Sequence, residues 1–302
     1  MQELFNIQYL SNNISAYAGA HSVKIGNNTN VIDIRLPAGS LQNTVRFESI
    51  DIRCSISNVE QVNPPNNTVY LNLNYCNINR SSFNKPIIQI SGTSTLKSTA
   101  FFVNTRSNGT STDGTLAVYD FTNTNVYMEE CRWNGTPQNV SMMRINTTQT
   151  GNAFFSVINC ELRMIGSTLT TIPMILLNNT SGLINSRFSN AILAMEYSAA
   201  KGVGANLISI SSNSTWNNSS PLVITLDNCY SLFTGASAFN FILQNLSTAP
   251  RIASLIFQRP SNLSLVGGNS GIDYTNINVT NTSALLNTPT TNTIINKFNF
   301  YN

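Results

Sequence analysis

The stretch that decides the fold is VYMEECRW at 126–133, read beside its echo FSVINCEL at 155–162. In both, an apolar residue, a variable one and a second apolar residue precede a two-residue bend, a cysteine and, two positions on, another apolar residue. Side chains of a strand alternate between its faces, so Val126 and Met128 share one side. Cys131 lies three residues beyond Met128, and an uninterrupted strand would turn it to the opposite side. A corner between them returns Cys131 and then Trp133 to a common interior. The arrangement recurs in LNLNYCNI at 71–78 and ITLDNCYS at 224–231, and GLINSRF at 182–188 reads as a further copy with Ser186 in the cysteine position. Asn159, Asn185 and Asn228 precede the small residue, and asparagine tolerates the left-handed backbone of a tight corner.

Upstream of these copies lie further apolar segments, PIIQI at 86–90, LAVY at 116–119, MMRI at 142–145, PMILL at 173–177, LISI at 207–210 and FNFIL at 239–243. Anchored on Ile90, Val118, Ile145, Leu176, Ile210 and Ile242, they recur about thirty residues apart, a period that marks stacked repeats. Three short strands and three corners fill one repeat. The expected fold is all-β: a single-stranded right-handed parallel β-helix of about eight to ten coils, stacked ~4.8 Å apart into a rod on the order of 40–50 Å long. Residues 1–28 are expected to cap it, 29–265 to form the solenoid, and 266–302 to form a second cap or a partner-contacting tail. An antiparallel sandwich would need hairpin signals such as Asn-Gly between alternating strands, and these are scarce.

Over about residues 30–265 the combination of apolar-x-apolar, Asn corner and Cys-x-apolar resembles the pectate-lyase-like right-handed parallel β-helix superfamily. The resemblance is one of architecture. It implies a lateral groove, which in enzymes of that superfamily offers Asp/Glu calcium ligands with an Arg or Lys base, or clustered Asp residues with a His. Here the 13 acidic residues are dispersed. Asp113, Asp120 and Glu196 fall on different coils, Glu129 and Glu130 sit at a corner, and the single histidine, His21, lies in the expected cap. Glycoside hydrolysis needs two carboxylates facing one bond, and calcium needs several oxygen ligands. No catalytic residue, metal or cofactor is therefore assigned.

Charged residues make up 10% of the chain, hydrophobic ones 41%, and the formal net charge is +3. Without a Lys/Arg run or aromatic-basic interleaving, no nucleic-acid partner is expected. No segment holds 18 consecutive apolar residues, so no membrane-spanning helix is expected. The N-terminal stretch lacks a basic region followed by an apolar one, and synthesis in the cytoplasm without a signal peptide is the corresponding expectation. Five cysteines without a CxxC or Cys/His cluster argue against zinc. Cys76, Cys131, Cys160 and Cys229 are expected inside as free, packed thiols.

Candidate contact residues follow from the same register. Arg132, Glu161 and Arg187 each follow a small corner residue, which predicts an outward Arg–Glu–Arg stack. In 189–206, AILAMEYSAAK carries helix formers with Ile192, Met195 and Ala199 three and four apart, predicting a short helix packed on the rod's side, which covers a hydrophobic strip or presents Ile192 and Met195 to a neighbouring subunit. Residues 104–115 read as a polar loop. Phe298, Phe300 and Tyr301 supply an aromatic end that packs back or meets a partner.

The Asn-rich composition, poor in Lys and Arg, resembles proteins of AT-rich large DNA viruses or phages. It sets the expectation of a non-enzymatic structural or assembly protein: a capsid-associated, spike or fibre component of a virion, oligomeric with itself or with other structural subunits. The alternative is a glycan-binding or glycan-cleaving β-helix, similar to a polysaccharide lyase or glycoside hydrolase, with Tyr119, Tyr127 and Trp216 stacking on sugar. Asn-x-Ser/Thr sequons occur, for example at Asn108, Asn134, Asn179, Asn218 and Asn262; in so Asn-, Ser- and Thr-rich a chain most are expected by chance, and glycosylation would require a secretory route.

Overall fold

Like residues stack on like. On one face Leu73, Phe102, Met128, Val157, Phe188 and Leu226 are partners in successive strands, and all are buried. On a second, Ile88, Tyr119, Met143, Ile175 and Ile208 do the same. A computed structural model describes residues 42–60, 68–93, 95–148, 152–166, 172–179, 183–201 and 205–212. It also describes shorter segments at 14–15, 23–26, 29–34, 222–227, 229–236, 239–246, 252–258, 262–265 and 277–280. The strands rotate through three faces. Every third strand pairs with its predecessor, always parallel, giving three nine-stranded sheets. We call them faces A, B and C in chain order. The protein is thus an all-β parallel β-solenoid, with no helix among the described residues. Five consecutive turns, from the strand Gln42–Glu48 to the strand Pro173–Asn179, are described almost throughout.

Alternation explains the core. The strand Ser98–Val103 reads buried, half-buried in strict succession, and Met143–Thr147 does likewise. Burying each Phe, Leu, Ile or Met contributes roughly 1.5–3 kcal/mol, and the column runs unbroken from coil to coil. Aromatic rings bridge the faces inside it, where Trp133 lies 4.7 Å from Phe102 and 4.4 Å from Tyr119, and within face A Phe155 meets Phe188 edge-on at 5.4 Å. Tyr119, expected outside against sugar, is fully buried. Its hydroxyl donates to the Asn134 carbonyl at 2.9 Å and pairs with the Ser107 hydroxyl at 2.8 Å, which lets a polar group sit in the core.

The corner from face A to face B turns on a single residue. Ser49, Tyr75, Asn104, Glu130, Asn159 and Asn190 all have φ between 49 and 56°, the left-handed region that Asn tolerates best. The amide of each donates to the next coil: Tyr75 to Val103, Asn104 to Glu129, Glu130 to Ile158 and Asn159 to Ser189, at 2.9–3.0 Å. The ladder therefore does not break at the bend. The next residue turns inward, and there Ile50, Cys76, Thr105, Cys131, Cys160 and Ala191 form one buried column, with Cys229 buried in the following coil.

The other corners are built individually. Between faces C and A, Asn58 donates to the Ser91 carbonyl at 2.7 Å and accepts from the Ser91 amide at 2.8 Å. Asn123, at φ 46°, likewise accepts from the Thr148 amide at 2.8 Å but donates to the Thr148 hydroxyl, also at 2.8 Å. Between B and C, the buried guanidinium of Arg80 donates to the carbonyls of Pro86 and Lys85 and to the Ser55 hydroxyl. It lies 5.2 Å from the Phe83 ring, and burial pulls it down to about 10.

Several expectations need correction. Ile192–Lys201 is a strand on face B, not a helix. The waiting ladder of Glu161–Gly166 and the inward turn of Leu193 and Met195 outweigh the local helix preference. Arg106–Ser111, expected within a loop, is a strand as well. GLINSRF belongs to face A, where Ser186 pairs with Phe155 and Asn185 with Phe154, so its corner comes later, at Asn190-Ala191. On face C the partner of Ile90 is Phe121 rather than Val118, and the partner of Ile145 is Leu177 rather than Leu176. Within 1–28 the described strands pair as a further coil, Ile14 with Phe47 and Val23 with Ile50.

Candidate functional site: the groove along the A–B corner

From Tyr75 to Asn190, each corner brings a left-handed residue to the surface, a small one to the core and an outward one to the start of face B. Stacking coils turns these into three parallel rows. The outward row reads Asn77, Arg106, Arg132, Glu161 and Ile192, in register. The left-handed row reads Asn104, Glu130, Asn159 and Asn190. Its amides reach along the axis: Asn190 Nδ2 donates to Asn159 Oδ1 at 3.0 Å, and Asn104 Nδ2 to Glu130 Oε2 at 3.5 Å. The two rows wall an open groove of about 440 Å³ with Cys131 and Cys160 at its base.

The thiols at the base are bound in place. The Cys131 amide donates to Cys160 Sγ at 3.3 Å, and Cys131 Sγ reaches the Phe102 carbonyl of the preceding coil at 3.2 Å. Cys229 does the same to Phe188 at 3.3 Å, and Thr105 to Leu73 at 3.1 Å. The column packs, as expected, and also satisfies carbonyls at the bend. Hydrogen bonding with Cys160, and then burial, push the Cys131 thiol far up. Burial raises Cys76 to about 11 and Cys54 to about 12. Cys131, Cys76 and Cys54 are therefore protonated, packed groups rather than ready nucleophiles, whereas the hydrogen bond from Cys131 lowers Cys160.

The walls carry uneven charge. Glu161 is engaged by Arg163 at 3.0 Å, and Arg163 continues to Glu196 at 2.8 Å. Arg132 reaches Glu161 only at 3.7 Å and is 70% exposed. Arg106 makes no ion pair or side-chain hydrogen bond among the described residues.

The residues singled out in the sequence are distributed as follows. Arg132 and Glu161 stand side by side. Arg187 does not extend their stack: it lies on face A between Ser156 and Thr225, 3.9 Å from Asp227. Ile192 is 40% exposed at the lip of the groove. Met195 is fully buried and available to no partner. Phe298, Phe300 and Tyr301 lie outside the described residues, as does Trp216. Tyr127 does lie on an outer surface, stacked 4.7 Å from Phe101, with Tyr70 5.3 Å further along. The reading by cysteines missed Asn104 and Arg106. The signal was present in FFVNTRS at 101–107, where Thr105 takes the cysteine place.

Among the described residues no group of three or more His, Cys, Asp or Glu could hold a metal ion, and no helix is long and apolar enough to cross a membrane. Fold and groove together define the class: a parallel β-solenoid carrying a lateral groove lined by amides, guanidiniums and carboxylates. Comparison with protein-family models, with curated proteins and with solved structures gives no match.

Proposed function

We propose that this chain is a non-enzymatic structural scaffold, one rigid building block of a larger assembly, in its finer form a component of a virus particle. The observation that carries the reading is the uninterrupted ladder through the A–B corner. It turns the wall into a stiff, repeating surface whose groove is formed by backbone geometry rather than by a mobile loop. The Asn-rich, weakly charged composition supports the finer form. Closed symmetric oligomers are the ordinary product of such surfaces. Light scattering after size exclusion should show a defined oligomer across a tenfold range of concentration, and incubation with mixed neutral and acidic polysaccharides should release no reducing ends. Bond cleavage by the purified chain would replace this reading with an enzymatic one.

One observation favours glycan binding as a second reading. Tyr70, Phe101 and Tyr127 form an aromatic strip on the outer side of face A, and half-exposed rings can stack on the apolar faces of sugars. Retention on immobilised polysaccharide that disappears in Phe101→Ala would support it, and unaltered retention would remove it.

A further inference from the structure

Arg106 and Arg132 are direct register partners on neighbouring parallel strands. Their backbones are therefore ~4.8 Å apart, and like charges directly opposite each other destabilise a sheet. Neither charge is well compensated. Arg106 lacks a described partner, and Arg132 has only the long contact to Glu161, which Arg163 already engages more closely. Two forked donors side by side on one wall match the two oxygens of a single carboxylate.

Other groove residues narrow the ligand. Glu130 and Glu161 face the same space and would repel a closely spaced polyanion such as a nucleic-acid backbone. A single carboxylate set among neutral groups is tolerated. The side-chain amides of Asn104 and Asn159 are linked to their neighbours along the wall, and each carries a second proton or lone pair of the kind a peptide group would meet. Ile192 adds an apolar contact at the lip. We propose that the Arg106–Arg132 pair is a carboxylate-binding site whose occupant is an aspartate or glutamate of an extended segment of a partner protein lying in the corner groove. The site rests on the arginine geometry alone. The partner deepens the scaffold reading given above.

The test uses the full chain and small probes at fixed ionic strength. N-acetylglutamate N-methylamide stands for the peptide source, its glutamine analogue for the uncharged control, galacturonate for an acid sugar, and inorganic phosphate for a free oxyanion. Thermal shift and heat of binding report occupancy. The glutamate probe should raise the melting temperature and bind at least tenfold more tightly than the glutamine analogue. Arg106→Gln and Arg132→Gln should each weaken it at least tenfold. Without probe, Arg106→Gln should melt no lower than the parent, because a repulsive pair has been relieved. Equal response of the parent and both variants would remove the site. Galacturonate or phosphate binding as tightly as the glutamate probe would keep the site but overturn the peptide partner, leaving the oligomer measurement above untouched.

Discussion

The corner between faces A and B and the connection between faces B and C solve the same problem differently. At the first, every described coil from Ser49 to Asn190 turns on one left-handed residue and sends the next residue inward, a small one in all but the Ser49 coil, where it is Ile50. At the second, the chain takes a different path in each coil, from Phe83 to Ile88, from Ser111 to Tyr119 and from Thr136 to Met143. A bend made by one residue leaves no room for variation, so it repeats and builds a groove. A loop that leaves the wall must satisfy its own backbone amides and carbonyls, so each is held by its own device. In one coil that device is Arg80. In the next it is Asp113, whose Oδ1 accepts from the Thr115 and Leu116 amides at 2.7 and 2.9 Å.

The largest effect should come from the individually built side. Arg80 is 2% exposed, and its guanidinium holds the Pro86 and Lys85 carbonyls. Arg80→Ala leaves the Pro86 carbonyl to the Ser55 hydroxyl alone and the Lys85 carbonyl to the Ser111 hydroxyl, and removes the charge-assisted bonds, worth about 1.5–3 kcal/mol each, so a total loss of ~3 kcal/mol is expected in urea unfolding. Arg80→Lys, which keeps the charge but not the fork, should fall between. Equal stability of Arg80→Ala and the parent would show that this connection does not depend on its arginine.

A pH titration sets one thiol from each side against the other. Cys54 follows a face-B strand on the way to face C, and Cys76 sits in the A–B column. Burial raises them from 9.0 to about 12 and about 11. An unfolded chain releases these protons near 9, whereas the folded chain retains them. Their contribution is therefore complete below pH 9 and is lost as the pH rises through 11 and 12. Chemical unfolding between pH 8 and 11 should show a falling midpoint. Cys54→Ala and Cys76→Ala should each flatten the slope, Cys54→Ala the more.

The same contrast explains what could be read from the sequence. The A–B corner is a local rule: apolar-x-apolar, a left-handed residue, a small residue. Four cysteines displayed it, and with it the parallel stacking and the inward thiol column. Where a different small residue filled the place, as Thr105 and Ala191 do, the corner went unread. With it went Arg106, the strand Arg106–Ser111 and the true corner after Phe188. The face-C register slipped for a related reason. Ala117, Val118 and Tyr119 are all buried, so alternation could not say which of them faces the axis. The strand at Ile192–Lys201 was illegible because its helix formers speak for an isolated segment. Its pairing with Glu161–Gly166 and Tyr230–Ala236 is a long-range fact.

On the repeating side, a modest stabilisation is available. Glu130 is the one charged side chain in the left-handed row, at φ 54°. A residue with a Cβ costs roughly 1–2 kcal/mol there, and glycine avoids the clash. Glu130→Gly should raise the urea midpoint by the equivalent of about 1 kcal/mol, and Glu130→Val should lower it. A loss of stability in Glu130→Gly would mean that the Asn104 contact to its carboxylate outweighs the backbone strain.

The smallest expected effect decides what the inward column is for. If the thiols are packing alone, any small apolar residue should serve. If they also serve the carbonyls at the bend, a donor should matter. Thr105 occupies the column with its hydroxyl on Leu73, as Cys131 lies on Phe102. Cys131→Thr keeps the donor and adds one methyl, and should change stability by less than ~1 kcal/mol. Cys131→Val has the same shape without the donor, and should be the less stable of the two by about 1 kcal/mol, the net worth of one hydrogen bond. The comparison is made within one site and one side-chain volume, so cavity and strain cancel. Equal stability of the two variants would reduce the column to packing and leave the left-handed residue as the sole maker of the corner.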